Sequence, residues 1–412
     1  MQPPPFSRSS SSLTFTILWC VVFVDLIGFG ILAPQIAFYA LRTGIRPEMV
    51  TLLVATYSLA QFVAMPVWGT VSDRYGRKPV LAISMAGHVV SYIILACAES
   101  WPTLLAARVI GGVTSANLAV AYAWVADSST VEERPRYMGR LSAAFGMGFI
   151  FGPIIGGVLS GHGDIDQANF VYPALTSAAL SALSLAGILL FLPAVRPSGK
   201  SGGSTARPGG LQFLKGLRRV SRQPRIAGLT LLCVLVITFV AGREAIFSIW
   251  ANDVHGLGPR DIGILLGVSG ATITLFQFFV MGPLSAHFDS FILVRASLII
   301  YCVSWAGLLM AGNVKQIAVA TMTGAIGTAL FQTNMQTLVS REAPASERGL
   351  VMGIYQSGNS MARFFGQAGV GSLYAFLSPS APFLIGALMM GPALFLLAWT
   401  RRVRQLQTHM AE

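Results

Sequence analysis

Twelve apolar segments, each long enough to cross a lipid bilayer, dominate this chain of 412 residues. Only 11% of the residues are charged, against about 25% in a typical soluble domain. The segments are predicted at residues 13–40, 46–70, 79–98, 101–126, 136–161, 170–193, 226–250, 261–284, 291–312, 315–339, 347–376 and 380–400. Because backbone polar groups in hydrocarbon need internal partners, the segments must be helices. We therefore predict an all-α protein with 12 transmembrane helices, embedded in a lipid bilayer.

Basic residues are distributed unevenly between the connections on the two sides of the membrane. When the charges at the segment ends are counted with the adjacent loops, 21 of the 28 Lys and Arg residues fall on one side. Basic loops stay in the cytoplasm, so this side is cytoplasmic and both termini lie there. The net charge of +12 is thus explained by topology, and it does not indicate a nucleic-acid partner.

A Gly- and Ser-rich stretch divides the chain in the middle. It is followed by a basic amphipathic stretch, residues 211–222, which is expected to lie on the cytoplasmic face of the membrane. The predicted organisation is a cytoplasmic tail at 1–12, a six-helix bundle at 13–193, a cytoplasmic linker at 194–225, a second six-helix bundle at 226–400 and a cytoplasmic tail at 401–412.

The two halves carry the same residues at a fixed offset. Met138-Gly139 recurs as Met352-Gly353, and Gly152 recurs as Gly366, both at an offset of 214 residues. Weak symmetry of this kind indicates two pseudo-symmetric parallel six-helix repeats. A substrate site is then expected near the membrane midplane, between the repeats.

The connection between the second and third segments has an unusual composition. It reads Gly69-Thr-Val-Ser-Asp-Arg-Tyr-Gly-Arg-Lys78. Gly69 would let a neighbouring helix approach closely, and Gly76 would allow a positive φ in a tight reversal. The stretch resembles the signature of the major facilitator superfamily at every specified position: Gly69, Asp73, Arg74, Gly76, Arg77 and Lys78.

That resemblance implies a role for the charges in gating. It implies that Asp127, at the end of the fourth segment, joins Asp73 and Arg77 in a cytoplasmic charge cluster that holds the start of the eleventh segment, residues 346–349. A helix N-terminus there would favour the carboxylate of Asp73. The alternative is a static surface network.

Charged side chains inside the apolar segments are few, because each costs at least about 2.5–3.5 kcal/mol at the bilayer centre. Asp25 in the first segment is the main candidate for proton binding, and a structural ion pair is its alternative role. Arg108 resembles the arginine that in this superfamily governs proton binding in the first helix, and Asp25 is its expected counter-charge. Glu244 is a second candidate, for binding a proton or a cationic substrate.

Further residues are candidates for the substrate cavity. Arg363 would bind an anionic group of the substrate or pair with Glu244. His88 would serve as a proton relay or as a hydrogen-bonded packing residue. The set of cavity candidates is Glu244, Arg363, His88, Ser91, Gln332 and Asn334.

The fifth segment resembles the Gly-Pro element that marks the antiporter branch of the superfamily. The residues concerned are Gly148, Gly152, Pro153, Gly156 and Gly157. Their spacing gives the helix one smooth face, and Pro153 permits a kink. A generic packing helix is the alternative. The element favours export over import.

Within the superfamily, the chain is most similar to the drug:proton antiporters, and among these to the tetracycline-resistance exporters. Those exporters carry an acid in the third segment just before a tyrosine, whereas this chain has Ser91 before Tyr92. The difference argues against tetracycline itself and its metal chelate, and it favours a broader amphiphilic substrate.

The sequence therefore predicts a monomeric proton-coupled antiporter of the inner membrane. It would export amphiphilic organic compounds or drugs, tetracycline-like molecules among them, by alternating access. The resemblance implies no metal and no cofactor, because the proton gradient supplies the energy. A proton-coupled metabolite or sugar carrier is the alternative. A membrane sensor and an enzyme are disfavoured, because no added soluble domain, metal-ligand spacing or phosphate-binding loop is found.

Overall fold

A computed structural model describes residues 8–115, 117–129, 133–161, 167–193, 223–344 and 348–409. Within these ranges the chain is almost entirely helical and contains no β-strand. The helices are α1 (Arg8–Arg42), α2 (Pro47–Tyr75), α3 (Arg77–Ala96), α4 (Trp101–Thr114), α5 (Asn117–Ser128), α6 (Arg134–Ser160), α7 (Val171–Phe191), α8 (Pro224–His255), α9 (Pro259–Leu275), α10 (Met281–His287), α11 (Ser290–Leu309), α12 (Val314–Glu342), α13 (Arg348–Phe376) and α14 (Ala381–His409). A π-helical turn, Phe276–Val280, joins α9 to α10.

Ten helical spans among the described residues are long and apolar enough to cross a membrane. Ten of the twelve predicted segments are thereby confirmed as helices whose length and composition suit a membrane span. The eleventh, α13, has 29 residues, but Gln356, Asn359, Arg363 and Gln367 make it more polar than the others. The fourth is interrupted, since α4 ends at Thr114 and α5 begins at Asn117.

The chain divides into two compact units. Unit 1 comprises Met1–Gly44, Ala60–Gly202 and Gly258–Gly267, and unit 2 comprises Ile45–Leu59, Gly203–Leu257 and Val268–Glu412. The first part of α2 thus belongs to unit 2, where Ser58 donates a hydrogen bond to Gln367. The first part of α9 belongs to unit 1, where it packs on α6. The predicted domain boundaries remain a prediction, and most of the predicted linker lies outside the described residues.

Unit 1 is organised around α1, which packs against α6 on one side and α7 on the other. Its apolar core joins α1 to α3, α5 and α7. The buried side chains at its centre include Leu18, Val22, Leu81, Trp124 and Ile188. Because α1 is surrounded by other helices, a polar side chain halfway along it is removed from both lipid and water.

Unit 2 repeats one of these contacts. α8 packs closely against α13, as α1 packs against α6, and α11 packs against α12. Glycines permit the close approach in both units: Gly152 of α6 faces Gly30 of α1, and Gly242 of α8 faces the backbone of Gly366. The predicted equivalence of Gly152 and Gly366 therefore has a structural basis, since each lets a helix backbone approach its neighbour.

Candidate functional site

Asp25 lies halfway along α1, and its carboxylate is enclosed in unit 1 with 1% of the residue exposed. Its Oδ1 lies 3.1 Å from Nδ1 of His88 on α3 and 3.4 Å from the hydroxyl of Ser181 on α7. Its Oδ2 accepts a hydrogen bond from the side-chain amide of Asn117 on α5. Four helices thus meet at one buried carboxylate, and the three partners that contact it are all polar.

Serines on α7 continue this polar contact along α1. Ser177 donates to the backbone carbonyl of Gly28 at 2.8 Å, and it also lies 2.9 Å from the carbonyl of Pro173 on its own helix. Ser184 donates to the carbonyl of Val21 at 3.1 Å. Three serines at helical spacing therefore hold α7 against α1 on both sides of Asp25.

The interruption of the fourth segment brings Asn117 to the carboxylate. Helix ends leave carbonyl groups without helical partners, which is costly in hydrocarbon. Here Trp68 donates to the carbonyl of Val113 at 2.5 Å, and Ser84 donates to that of Thr114. Because these two side chains donate hydrogen bonds to the freed carbonyl groups, the helix can end at Thr114 and restart at Asn117.

Arg108 is a half-buried residue of α4, one helix away from Asp25. Its predicted pairing with Asp25 remains a prediction, and the described hydrogen-bond partners of the carboxylate are His88, Asn117 and Ser181. Ser91 is buried beside this region and donates to the carbonyl of Ala107 at 2.7 Å. In this structure Ser91 therefore joins α3 to α4.

The glycines of α6 form the close contact with α1. A methyl group at Gly148 would lie 2.6 Å from Cβ of Leu26, and one at Gly152 would lie 2.6 Å from Cα of Gly30. Gly156 faces the backbone of Ile31 in the same way. The smooth helix face predicted from the spacing is thus observed. Gly157 and Pro153 continue it toward the first turns of α9, where they face Pro259 and Gly263.

The signature stretch forms the turn between α2 and α3. Gly76 has φ of 95°, as predicted for a tight reversal. Arg77 is buried and donates to Asp73 at 2.7 Å and to Ser72 at 2.5 Å. Lys78 donates to the carbonyl of Leu189 at the end of α7. The charges of the signature therefore connect the end of α2 to α3 and α7.

One expectation for this stretch is wrong, and another stays a prediction. The predicted close helix approach at Gly69 is wrong for the described part of the chain, because a methyl group there would meet no heavy atom within 4 Å. The guanidinium of Arg74 lies over the ring of Tyr75. The side chain of Asp127 and the start of the eleventh segment lie outside the described side chains, so the predicted charge cluster stays a prediction.

Glu244 of α8 and Arg363 of α13 form an ion pair in unit 2, with 2.8 Å between the charged atoms. The pairing anticipated from the sequence is confirmed. The two side chains are 34% and 41% exposed, although both belong to predicted membrane segments. Of the other cavity candidates, Gln332 is exposed, whereas Asn334 is buried and donates to the carbonyl of Leu330.

Two partners of Asp25, Asn117 and Ser181, are not among the residues predicted from the sequence. Asn117 follows Thr114 and Ser115 in an otherwise apolar segment, and this polar interruption was a usable signal. Ser181 belongs to a series with Ser177 and Ser184, whose spacing places all three on one face of a helix. The role of His88 stayed open between a proton relay and a packing residue, because sequence alone does not show that it faces Asp25.

Comparison with protein-family models gives one match that spans the chain. The model is described as Major Facilitator Superfamily, and it matches residues 18–258 and 234–409.

Curated relatives align over almost the full length. The class C tetracycline resistance protein of Escherichia coli is 28% identical over 410 residues, which covers 95% of this chain and 98% of that protein. Multidrug resistance protein 2 of Bacillus subtilis is 26% identical and covers 93% and 94%. The quinolone resistance protein NorA of Staphylococcus aureus is 23% identical and covers 96% and 98%.

Solved structures show the same fold at low sequence identity. The human organic anion transporter MFSD10 is 21% identical with a TM-score of 0.67, covering 96% of this chain and all of that one. The nucleoside transporter NupG is 13% identical with a TM-score of 0.74, covering 94% and 98%.

Proposed function

Because the chain belongs to the major facilitator superfamily, we propose that it is a proton-coupled antiporter that exports amphiphilic drugs. A proton enters the cell through the Asp25 site while a drug leaves, and the two bundles alternate in access. The relatives that align over almost the full length are named for resistance to tetracycline, to quinolones and to multiple drugs. The inner membrane is the proposed location, with both termini in the cytoplasm, and the proposed working unit is a monomer.

The observation that carries this proposal is the buried carboxylate of Asp25. Hydrocarbon disfavours an ionised carboxyl group, and polar neighbours stabilise it, so the proton affinity of this site depends on what contacts the carboxylate. The carboxylate has contacts from α3, α5 and α7. Any movement among these helices changes those contacts and therefore the affinity for a proton. Arg108, on α4 next to α3, is proposed to modulate the same equilibrium.

The ion pair of Glu244 and Arg363 supports a substrate site with water access. A charged pair that faced lipid would be very costly, so the exposed parts of these side chains are proposed to face an aqueous cavity. Glu244 would then attract a cationic group and Arg363 an anionic group of an amphiphile. This chain has Ser91 at the position where the tetracycline exporters carry an acid, and this difference argues for a substrate range broader than tetracycline.

The proposal is tested by a drug-susceptibility panel in a host that lacks its own efflux pumps, with and without an uncoupler. Expression of the chain is expected to raise the tolerated concentration of several amphiphilic drugs, and the uncoupler is expected to remove the effect. An unchanged panel, together with uptake of labelled sugars or metabolites into starved cells, would instead support a metabolite carrier.

Replacing Asp73 by Asn is expected to lower the turnover of drug export about tenfold, with drug affinity changed less than about twofold. The variant loses the ion pair between Asp73 at the end of α2 and Arg77 at the start of α3, whose charged atoms are 2.7 Å apart. The Asp25 site is left intact. Turnover and binding are measured separately in proteoliposomes. Asp261→Asn, at an exposed position in the first turn of α9, is the control. Lost binding with normal turnover would contradict the gating role.

Replacing Glu244 by Gln is expected to reduce export of the lipophilic cation ethidium about tenfold. In a double-mutant cycle with Arg363→Gln, the coupling between the two residues in the free energy of unfolding is expected to be below about 1 kcal/mol. The coupling is small because both side chains are more than a third exposed. Ethidium efflux and thermal unfolding of the four proteins provide the two readouts. A large coupling with unchanged ethidium export would show that the pair only supports the fold.

A further inference from the structure

His88 is buried in the middle of an apolar helix, and helix packing alone does not explain it. Only 2% of the residue is exposed. Its Nδ1 lies 3.1 Å from Oδ1 of Asp25, and its ring is tilted against that of Tyr92 at 5.8 Å. Its Nε2 is also buried and has no hydrogen-bond partner among the residues that the structure describes. A histidine kept for packing would be expected to satisfy both ring nitrogens.

The unpartnered nitrogen identifies the form of the ring in this structure. A neutral imidazole carries one N–H and one bare nitrogen, and the proton position follows from the hydrogen bonds. An ionised Asp25 can only accept, so with Asp25 ionised the contact assigns the N–H to Nδ1. Nε2 is then a bare lone pair. In apolar surroundings a bare nitrogen is tolerated better than a buried N–H without an acceptor.

Near the middle of the surrounding helices, the described residues include few other titratable groups. Asp25 is the titratable group that α1 presents, and α3 adds Tyr92. α4 carries Arg108, which lies on the helix packed against α3. α5 and α7 contribute the neutral side chains of Asn117 and Ser181, and α6 faces α1 with glycines. The imidazole of His88 is therefore the titratable base in direct contact with the carboxylate.

We propose that Nε2 of His88 is the atom that accepts the coupled proton, with Asp25 as the fixed counter-charge. This rests on the proposed antiport function and refines it. One proton from water binds the lone pair of Nε2, which converts the neutral ring to an imidazolium and leaves Asp25 ionised. Release returns the same proton to water from Nε2, and no other bond is formed or broken.

Coupling to movement follows from the same geometry. Protonation strengthens the contact between Nδ1 and Asp25, because the pair becomes an ion pair. It also turns Nε2 into a buried donor without an acceptor in this helix arrangement. The protonated site therefore favours a different arrangement, in which Nε2 reaches water or a carbonyl group. Proton binding thus shifts the equilibrium between conformations by its unequal affinity for the two.

The protonation state is read directly by ¹⁵N NMR of the full chain, labelled at histidine and embedded in lipid nanodiscs. Loss of one set of signals in His88→Gln assigns His88 among the five histidines. From about pH 9 to about pH 5, the His88 signals are expected to change from the Nδ1–H tautomer to the imidazolium. In Asp25→Asn the tautomer preference and the titration are expected to change. A neutral Nε2–H tautomer, or no titration in this range, would overturn the proposal.

A transport measurement separates this proposal from the antiport function. In proteoliposomes loaded with norfloxacin, His88→Gln is expected to retain drug exchange in the absence of a pH gradient and to lose uphill transport about tenfold or more. His287→Gln, at an exposed position of α10, should retain both activities and serves as the matched control. Uphill transport by His88→Gln at the wild-type rate would overturn the assignment. A wild-type protein that moves drug without proton movement would refute antiport, and the NMR titration would still decide whether His88 binds a proton.

Discussion

Replacing Asp25 by Asn is expected to abolish uphill drug export, with a loss of about 100-fold, while the protein still folds and inserts. Asn has nearly the same shape as Asp, and its carbonyl oxygen can still accept from His88 and Ser181. The amide of Asn117 can rotate so that its oxygen accepts from the new side-chain amide. The variant therefore keeps hydrogen bonds and removes only the negative charge of the proton-binding site.

The measurement is drug accumulation in inverted membrane vesicles that carry an imposed pH gradient, at matched protein levels. Asp289→Asn is a suitable control, because Asp289 is an exposed residue just before α11 and makes no capping hydrogen bond. That variant should transport at the wild-type rate. Unaltered gradient-dependent export by Asp25→Asn would mean that the proton is carried outside the site formed by Asp25 and His88, and Glu244 would then be the first alternative.

Replacing Gly152 by Leu is expected to prevent stable packing of α6 on α1, with a loss of about 3 kcal/mol or more in the free energy of unfolding. A single methyl group at this position would already lie 2.6 Å from Cα of Gly30 and 2.7 Å from its carbonyl carbon. Both atoms belong to the backbone, so no flexible side chain can move aside. The helices would have to separate, and the contacts of Asp25 would be lost with them.

The same substitution at Gly139 is the matched control, since this glycine lies on the same helix and faces no heavy atom within 4 Å. The yield of monodisperse protein and the thermal unfolding midpoint in detergent are compared for both variants. Gly139→Leu should resemble the wild type. A normal yield and midpoint for Gly152→Leu would show that the close helix contact does not occur in the membrane.

The overall fold could be predicted from the sequence because lipid imposes simple rules. Apolar length identifies the spans, and Gly76 with its neighbours identified the turn between α2 and α3. The break at Thr114 was missed because the surrounding residues are apolar on average, and the carbonyl groups it exposes are satisfied by distant residues such as Trp68 and Ser84. Contacts of this kind depend on tertiary packing, which hydropathy does not record.

The candidate site was predicted only in part for the same reason. The cost of burying a charge identified Asp25, Glu244 and Arg363. Their partners depend on how each helix is rotated about its own axis. The rotation of α3 places His88 against Asp25. The rotation of α12 leaves Asn334 donating to a carbonyl group of its own helix. Hydropathy likewise does not show that His88 faces Asp25, because the direction of a side chain depends on this rotation.

The serines that hold α7 against α1 bear on how easily these helices can separate. Ser177 has two carbonyl acceptors within reach, Gly28 on α1 and Pro173 on α7 itself. If α1 moves away, the hydroxyl can turn to its own helix, and no donor is stranded in the apolar interior. Such an exchange of partners lets α1 and α7 slide past each other without loss of the hydrogen bond of Ser177. The first helix can then carry its acid between environments at low cost, as a transporter that cycles rapidly requires.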